Sequence, residues 1–221
     1  ALHLDVAIPA AKAGCHLLME KPLSNNLDDV ELLREAVASG RGKVLVGFQF
    51  RFHPGLKQVA LLLNEGAIGR PLSVRVHWGE YLPNWHPWED YRKGYAARSD
   101  LGGGVILTLC HPLDYLRGLL GDIRELFAFG GHLSDLELQV EDTAEISLQF
   151  ANGVVGSVHL NYNQRPPVHR MEIVGTGGTL RWENADGAVQ LSRSGEAWEN
   201  FPVPSGFDRN WMFQDEMRHF I

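Results

Sequence analysis

Apolar positions change period along the chain, and the change divides it. In ALHLDVAIPAAKAG, Leu4, Ala7, Ile8 and Ala11 recur at helical spacing, and Gly14 is placed as a C′ cap. Leu17-Leu18-Met19 is a short apolar strand that runs out at Glu20-Lys21-Pro22. SNNLDDVELLREAVASG predicts a helix with Ser24 or Asn26 as cap and Asp28 and Asp29 in the first turn. Val30, Leu33 and Val37 share one side of it, and Gly40 ends it. KVLVGFQF is a continuous apolar run, the pattern of a strand buried on both faces. Helix, strand, helix and strand with short joins make a βαβ unit, with parallel strands and a right-handed crossover. Two such strands leave apolar faces and an open edge, so residues 1–50 read as the tail of a larger doubly wound sheet.

From residue 51 the period-2 signal takes over. HPGLKQVALLLNEG is first a helix, with Pro54 near its start and Gly66 at its end. In PLSVRVHW, Leu72, Val74, Val76 and Trp78 share a face. Residues 79–101 are aromatic-rich without a clean period, and HPLDYLRGLLG is a short helix closed by Gly121. TAEISLQF alternates throughout, Asn152-Gly153 is a hairpin turn, and VVGSVHLNYN returns with Ser157, His159, Asn161 and Asn163 on its polar face. MEIVG, TLRWEN and AVQLSR continue the strands. A last helix follows Asp208, with Trp211, Met212, Glu216 and Phe220 recurring along it. Residues 51–221 therefore read as an α+β domain, an open and mainly antiparallel sheet with helices on one face. Both chain ends fall inside helical patterns, which predicts an internal piece of a longer protein.

Composition narrows the partners. A net charge of −7 argues against nucleic acid or an anionic membrane, and no apolar run approaches a membrane span. Residues 1–13 lack the layout of a signal peptide. Two distant cysteines, Cys15 and Cys110, fit buried thiols of a reducing compartment, and a cytoplasmic protein is expected.

Three stretches carry candidate chemistry. Glu20-Lys21-Pro22 lies at the carboxyl end of a parallel strand, where open α/β sheets bind ligands. Lys21 is either half of a surface ion pair on a turn or a functional lysine reaching a crevice. In DLGGGVILTLCHPLDYLRGLLG, three glycines permit close approaches, and His111 falls at a helix N-terminus, where the positive end of the dipole favours neutral imidazole. Asp114 lies one turn on; both residues could equally serve the helix start. WGEYLPNWHPWEDYRKGYAAR crowds Trp85, Tyr91, Arg92 and Tyr95 into one loop, suited to a ligand with polar edges and apolar faces such as a sugar, or to packing the loop on the sheet. His77 and His86 lack metal-ligand spacing, so no metal site is expected.

Taken in order, AIPAAKAGCHLLMEKPLS, VGFQFRFHP, LGGGVILTLCHPLDYLRGLLG, VEDTAEISLQFANGVVGSVHLNY and IVGTGGTL resemble the Gfo/Idh/MocA family of oxidoreductases. The resemblance implies a Rossmann domain bound to NAD or NADP, followed by a substrate and oligomerisation domain. It places Glu20, Lys21 and Pro22 at the cofactor, with the Lys-Pro bond often cis. Lys21 and His111 are its proton-transfer and substrate-orienting residues, and Trp85, Tyr91, Arg92, Tyr95, Thr108 and Asp114 are candidates for substrate contact. The implied activity is hydride transfer between nicotinamide and a sugar or polyol, in a homo-oligomer built through the antiparallel sheet. No Gly-x-Gly-x-x-Gly turn occurs in these residues. Where relatives carry an acid three or four positions before the histidine, this chain has Thr108 and Leu107. That departure keeps two alternatives open: a sugar-sensing regulator of the same fold, or a relative that uses bound NAD for glycoside cleavage.

Overall fold

The computed structural model describes residues 3–221. Helix α1 (His3–Lys12) buries Leu4, Ala7 and Ala11; how the chain enters it, at residues 1 and 2, lies outside the described residues. Strand β1 (Leu17–Glu20), helix α2 (Val30–Gly40) and strand β2 (Val44–Gly47) follow, and β1 pairs with β2 in parallel, Glu20 opposite Gly47.

Helix α2 departs from its expected ends. Asn26 accepts the Asp28 N–H at 3.0 Å, so the polar residues close a local turn instead of capping the helix, and Asp29 precedes it in left-handed conformation. Gly40 is the last helical residue and Arg41 the cap. A methyl group at Gly40 would lie 1.9 Å from the Ala11 carbonyl oxygen, so this glycine lets α1 and α2 touch. Val44, Leu45 and Val46 are half-buried, where a strand covered on both faces was expected.

After α3 (Pro54–Asn64) comes one eight-stranded sheet. Its strands are β3 (Pro71–Tyr81), β4 (Ile123–Gly131), β5 (Thr143–Phe150), β6 (Val155–Asn161), β7 (Asn163–Gly175), β8 (Gly178–Glu183), β9 (Val189–Arg193) and β10 (Glu199–Phe201). Their order is β10-β9-β8-β7-β3-β6-β5-β4. All pairs are antiparallel except β3 with β6. Strands β4 and β10 have no counterpart in the periodicity, and β7 begins eight residues before MEIVG.

Of the 79–101 segment, residues 79–81 end β3, and the rest contains four single 3-10 turns. A one-turn helix α4 (Val105–Thr108) and α5 (His111–Leu120) lead into β4. With α3 they cover one sheet face, closing a core that includes Val74, Val76, Leu148, Val158, Ile173 and Trp182. Burying an apolar side chain of this size stabilises by about 1.5–3 kcal/mol. The other face carries Arg75, His77, Glu145 and His159. Asn161, expected there, is buried and accepts the Asn163 N–H at 3.1 Å. Helix α6 (Asn210–Phe220) returns to pack on the 49–52 turn below β2, with Asp208 accepting the Asn210 N–H at 2.6 Å. No described helix is long and apolar enough to cross a membrane.

Candidate functional site

A cleft of about 630 Å³ opens where the carboxyl ends of β1 and β2 meet the large sheet. Lys21 enters from β1's exit loop, and its ammonium donates to the Thr108 carbonyl oxygen at 2.6 Å. That bond joins positions 87 residues apart, so the lysine is tied to the glycine-rich segment and is not half of a surface ion pair. The Lys21–Pro22 peptide is cis.

The glycine-rich segment is shaped by close approach. Gly104 has φ +107°, and a β-carbon there would meet the Glu141 carboxylate at 2.3 Å. Tyr162 donates to the Gly104 carbonyl oxygen at 2.9 Å from beneath. The segment delivers His111 as the first residue of α5, 4% exposed, with Phe50 at 4.9 Å and Phe48 edge-on at 5.7 Å between ring centres. Burial, then the charges of Lys21 and Arg209, lower the His111 pKa to about 3, so the ring is neutral at pH 7. Its Nδ1 and the Thr108 hydroxyl are both buried without hydrogen-bond partners.

Of the residues singled out by motif, Glu20, Lys21, Trp85, Tyr95, Thr108 and His111 line this cleft together. Pro22 lies in an adjoining hollow of about 300 Å³, which also touches Lys21, Asn25 and Gly102. Three others stand outside both. Tyr91 accepts the Glu137 N–H through its hydroxyl at 3.1 Å. Arg92 pairs with Asp90 at 2.8 Å and Glu137 at 3.1 Å. Asp114 receives both arms of Arg51 at 2.7 Å. Each is engaged in tying its own loop or helix to a segment distant in sequence.

Several lining residues were not singled out as candidates. His53 caps α3 by accepting the Gly55 N–H at 3.0 Å, and burial lowers its pKa to about 4. Asn184, Arg209 and Met212 arrive from the far end of the chain. Glu80 alone had a local signal: it follows Leu72, Val74, Val76 and Trp78 at period 2, a charge in an apolar stripe. Among the described residues, no group of three or more His, Cys, Asp and Glu side chains is arranged to hold a metal.

Comparison with known proteins places this geometry in context. Residues 56–181 match the GFO/IDH/MocA C-terminal domain. Myo-inositol 2-dehydrogenase of Thermotoga maritima is 31% identical over 191 residues, covering 82% of this chain and 53% of that protein. Levoglucosan dehydrogenase of Pseudarthrobacter phenanthrenivorans is 29% identical over 205 residues, covering 81% and 52%. The chain thus spans about half the length of these relatives. In fold, it superimposes on a levoglucosan dehydrogenase solved with NADH and levoglucosan, with a TM-score of 0.87 at 24% identity over 99% of this chain and 67% of that one. An inositol dehydrogenase homolog from Azotobacter vinelandii, solved with NAD+, gives 0.82 at 19% identity over 94% and 56%.

Proposed function

The chain belongs to the Gfo/Idh/MocA family, and on that premise we propose that it is part of an NAD(P)-dependent oxidoreductase acting on a sugar or polyol. Residues 1–50 are the end of the nucleotide domain, and residues 51–221 form the substrate domain. The observation that carries the reading is the convergence of Lys21 and neutral His111 on one polar cleft.

The hollow beside Lys21 fits one end of a nicotinamide cofactor. Glu20, Ser24 and Asn25 place polar groups beside the apolar surface of Pro22, Leu101 and Leu107, and the hollow adjoins the cleft through Lys21 itself. The nicotinamide, when bound, supplies the hydride acceptor. The protein's part is to hold the carbinol carbon and manage the proton. As an alcohol becomes a carbonyl, its carbon gives up hydride and its oxygen gives up a proton. The Lys21 ammonium stabilises the negative charge that develops on that oxygen. His111 offers a neutral acceptor to the hydroxyl, and Thr108 holds the lysine in place through its carbonyl oxygen. Trp85 and Tyr95 provide flat apolar surface for the ring. We also place self-association on the open sheet face, where Phe127 and Phe129 are exposed beside the polar residues of β5.

The test is single-turnover reduction of NAD or NADP by the full-length natural protein across neutral sugars and polyols. Lys21→Met and His111→Ala should each slow the step by about 10²–10⁴-fold, with cofactor affinity nearly intact. An unchanged rate in Lys21→Met refutes the catalytic assignment. Sugar binding without turnover in the wild type would instead support the sensing relative.

A further inference from the structure

We infer that Glu80 is a specificity-determining residue, its carboxylate accepting hydrogen bonds from substrate hydroxyls in the cleft. The inference rests on the reading of that cleft as a sugar or polyol site, and it concerns a residue that no motif marks.

Four observations converge. The first is placement. Glu80 follows Val74, Val76 and Trp78 on the sheet face turned toward the helices, and of the acids lining the cleft only Glu20 accompanies it. The Glu20 carboxylate accepts its neighbour Lys21's N–H at 3.2 Å, in an exposed position. The second is backbone shape. The β3–β7 register slips between Gly79 and Tyr81, so Glu80 has no opposite residue in β7. Such bulges turn a side chain away from the regular pleat. Gly79 makes room for this, because a β-carbon there would meet the Asn161 and Gln164 side chains at 2.6 Å.

The third is restraint. Trp78 donates its indole N–H to Glu80 Oε1 at 2.6 Å, and Trp78 is itself fixed by stacking on His169 with ring centres 4.0 Å apart. One carboxylate oxygen is therefore pinned, which lowers the entropy lost when a ligand binds the other. The fourth is freedom. No other hydrogen bond among the described residues engages the Glu80 side chain. Of the lysine and arginine side chains lining the cleft, Lys21 spends its bond on the Thr108 carbonyl, and no ion pair among the described residues joins Arg209 to Glu80.

A half-buried carboxylate, held at one oxygen and open at the other, wants O–H donors. Hydrogen bonds to a charged acceptor are the stronger kind. A site built around one rejects the analogue that lacks the hydroxyl, because its own polar group is left unpaired. Glu80 thus reads one particular hydroxyl of the substrate, on a carbon other than the one that loses hydride to the cofactor beside Lys21.

The test pairs Glu80→Gln with mono-deoxy analogues in the full-length protein. The substitution keeps size and leaves the amide oxygen able to accept the Trp78 N–H, so the fold is retained. With the best neutral hexose or cyclitol, Glu80→Gln should raise KM about 10–100-fold while kcat changes less than about threefold. One deoxy position should cost the wild type a similar factor and cost Glu80→Gln little, a coupling that a purely structural role does not produce. No coupling at any position, or loss of kcat with KM unchanged, overturns the inference. If no sugar is turned over, the oxidoreductase reading fails by itself. The same cycle measured calorimetrically as sugar affinity then decides on Glu80: coupling at one position supports it, and its absence, or no sugar binding, overturns it.

Discussion

Replacing Glu216 by glutamine should stabilise the protein, and only in a defined pH range. Glu216 lies on α6, 5% exposed, with Oε1 lacking any hydrogen-bond partner. A β-carbon on Gly47 would sit 3.5 and 3.7 Å from its two oxygens, so the carboxyl rests on the ends of the small sheet, where Gly47 pairs with Glu20. Burial, and then the Glu20 charge, raise the Glu216 pKa from 4.5 to about 7. Between these values the native chain holds a proton that the unfolded chain has released. The protonated carboxyl's contribution is therefore complete below about 4.5 and is lost as pH rises through about 7. The loss amounts to on the order of 3 kcal/mol by pH 8. Glutamine does not titrate, so variant minus wild-type stability should climb by that amount between pH 4 and pH 8. Urea unfolding at fixed ionic strength reads it as a midpoint difference growing by on the order of 1 M. Other titrating groups cancel in the difference. Glu20→Gln removes the second cause and should draw the upper edge of the window downward. A stability difference that stays flat from pH 4 to pH 8 would refute the account.

Two further outcomes follow from close contacts and exposed faces. Gly40→Ala drives a methyl group against the Ala11 carbonyl and should destabilise by about 1–3 kcal/mol in urea unfolding; an unchanged midpoint would show that α1 and α2 separate freely. Phe129→Glu on the outer strand should shift the full-length protein toward smaller species in sedimentation velocity while leaving the thermal midpoint within a few degrees, because Phe129 is 71% exposed. An unchanged sedimentation profile would remove β4 from the association surface.

The features legible in the chain were those encoded by neighbours. Glu20-Lys21-Pro22 and His111 each sit in a short, ordered run, and the TAEISLQF–Asn152-Gly153 hairpin is written in alternation and a turn dipeptide. Gly153 has φ +88°, and Asn152 accepts the Val154 N–H at 3.1 Å. What escaped has a different physical origin. Strand β4 lies at the sheet edge and is exposed along most of its length, so no burial pattern is imposed on IRELFAFGG. The early part of β7 contains Pro166 and Pro167, which demote a strand by local rules; pairing with the end of β3 comes only at Asn163 and from Val168 onward, so the prolines fall in the irregular stretch.

The site divides along the same line. Asp114 is well matched to a helix start on local grounds, yet its partner is Arg51, 63 residues earlier, and no periodicity encodes that pairing. Arg92 is likewise held by Glu137, 45 residues on. Glu216 reads as one more position along an amphipathic helix until the strand ends it covers are known. Glu80 is the intermediate case. Its charge interrupts a stripe of apolar residues, a mismatch between local pattern and burial that is expected where function overrides packing. A charge at an inward position of a strand is therefore a better marker of this cleft than the crowd of aromatics in the following loop. Of that loop's rings, Trp88 stays at the surface and Tyr91 packs against the core, whereas Trp85 and Tyr95 reach the cavity.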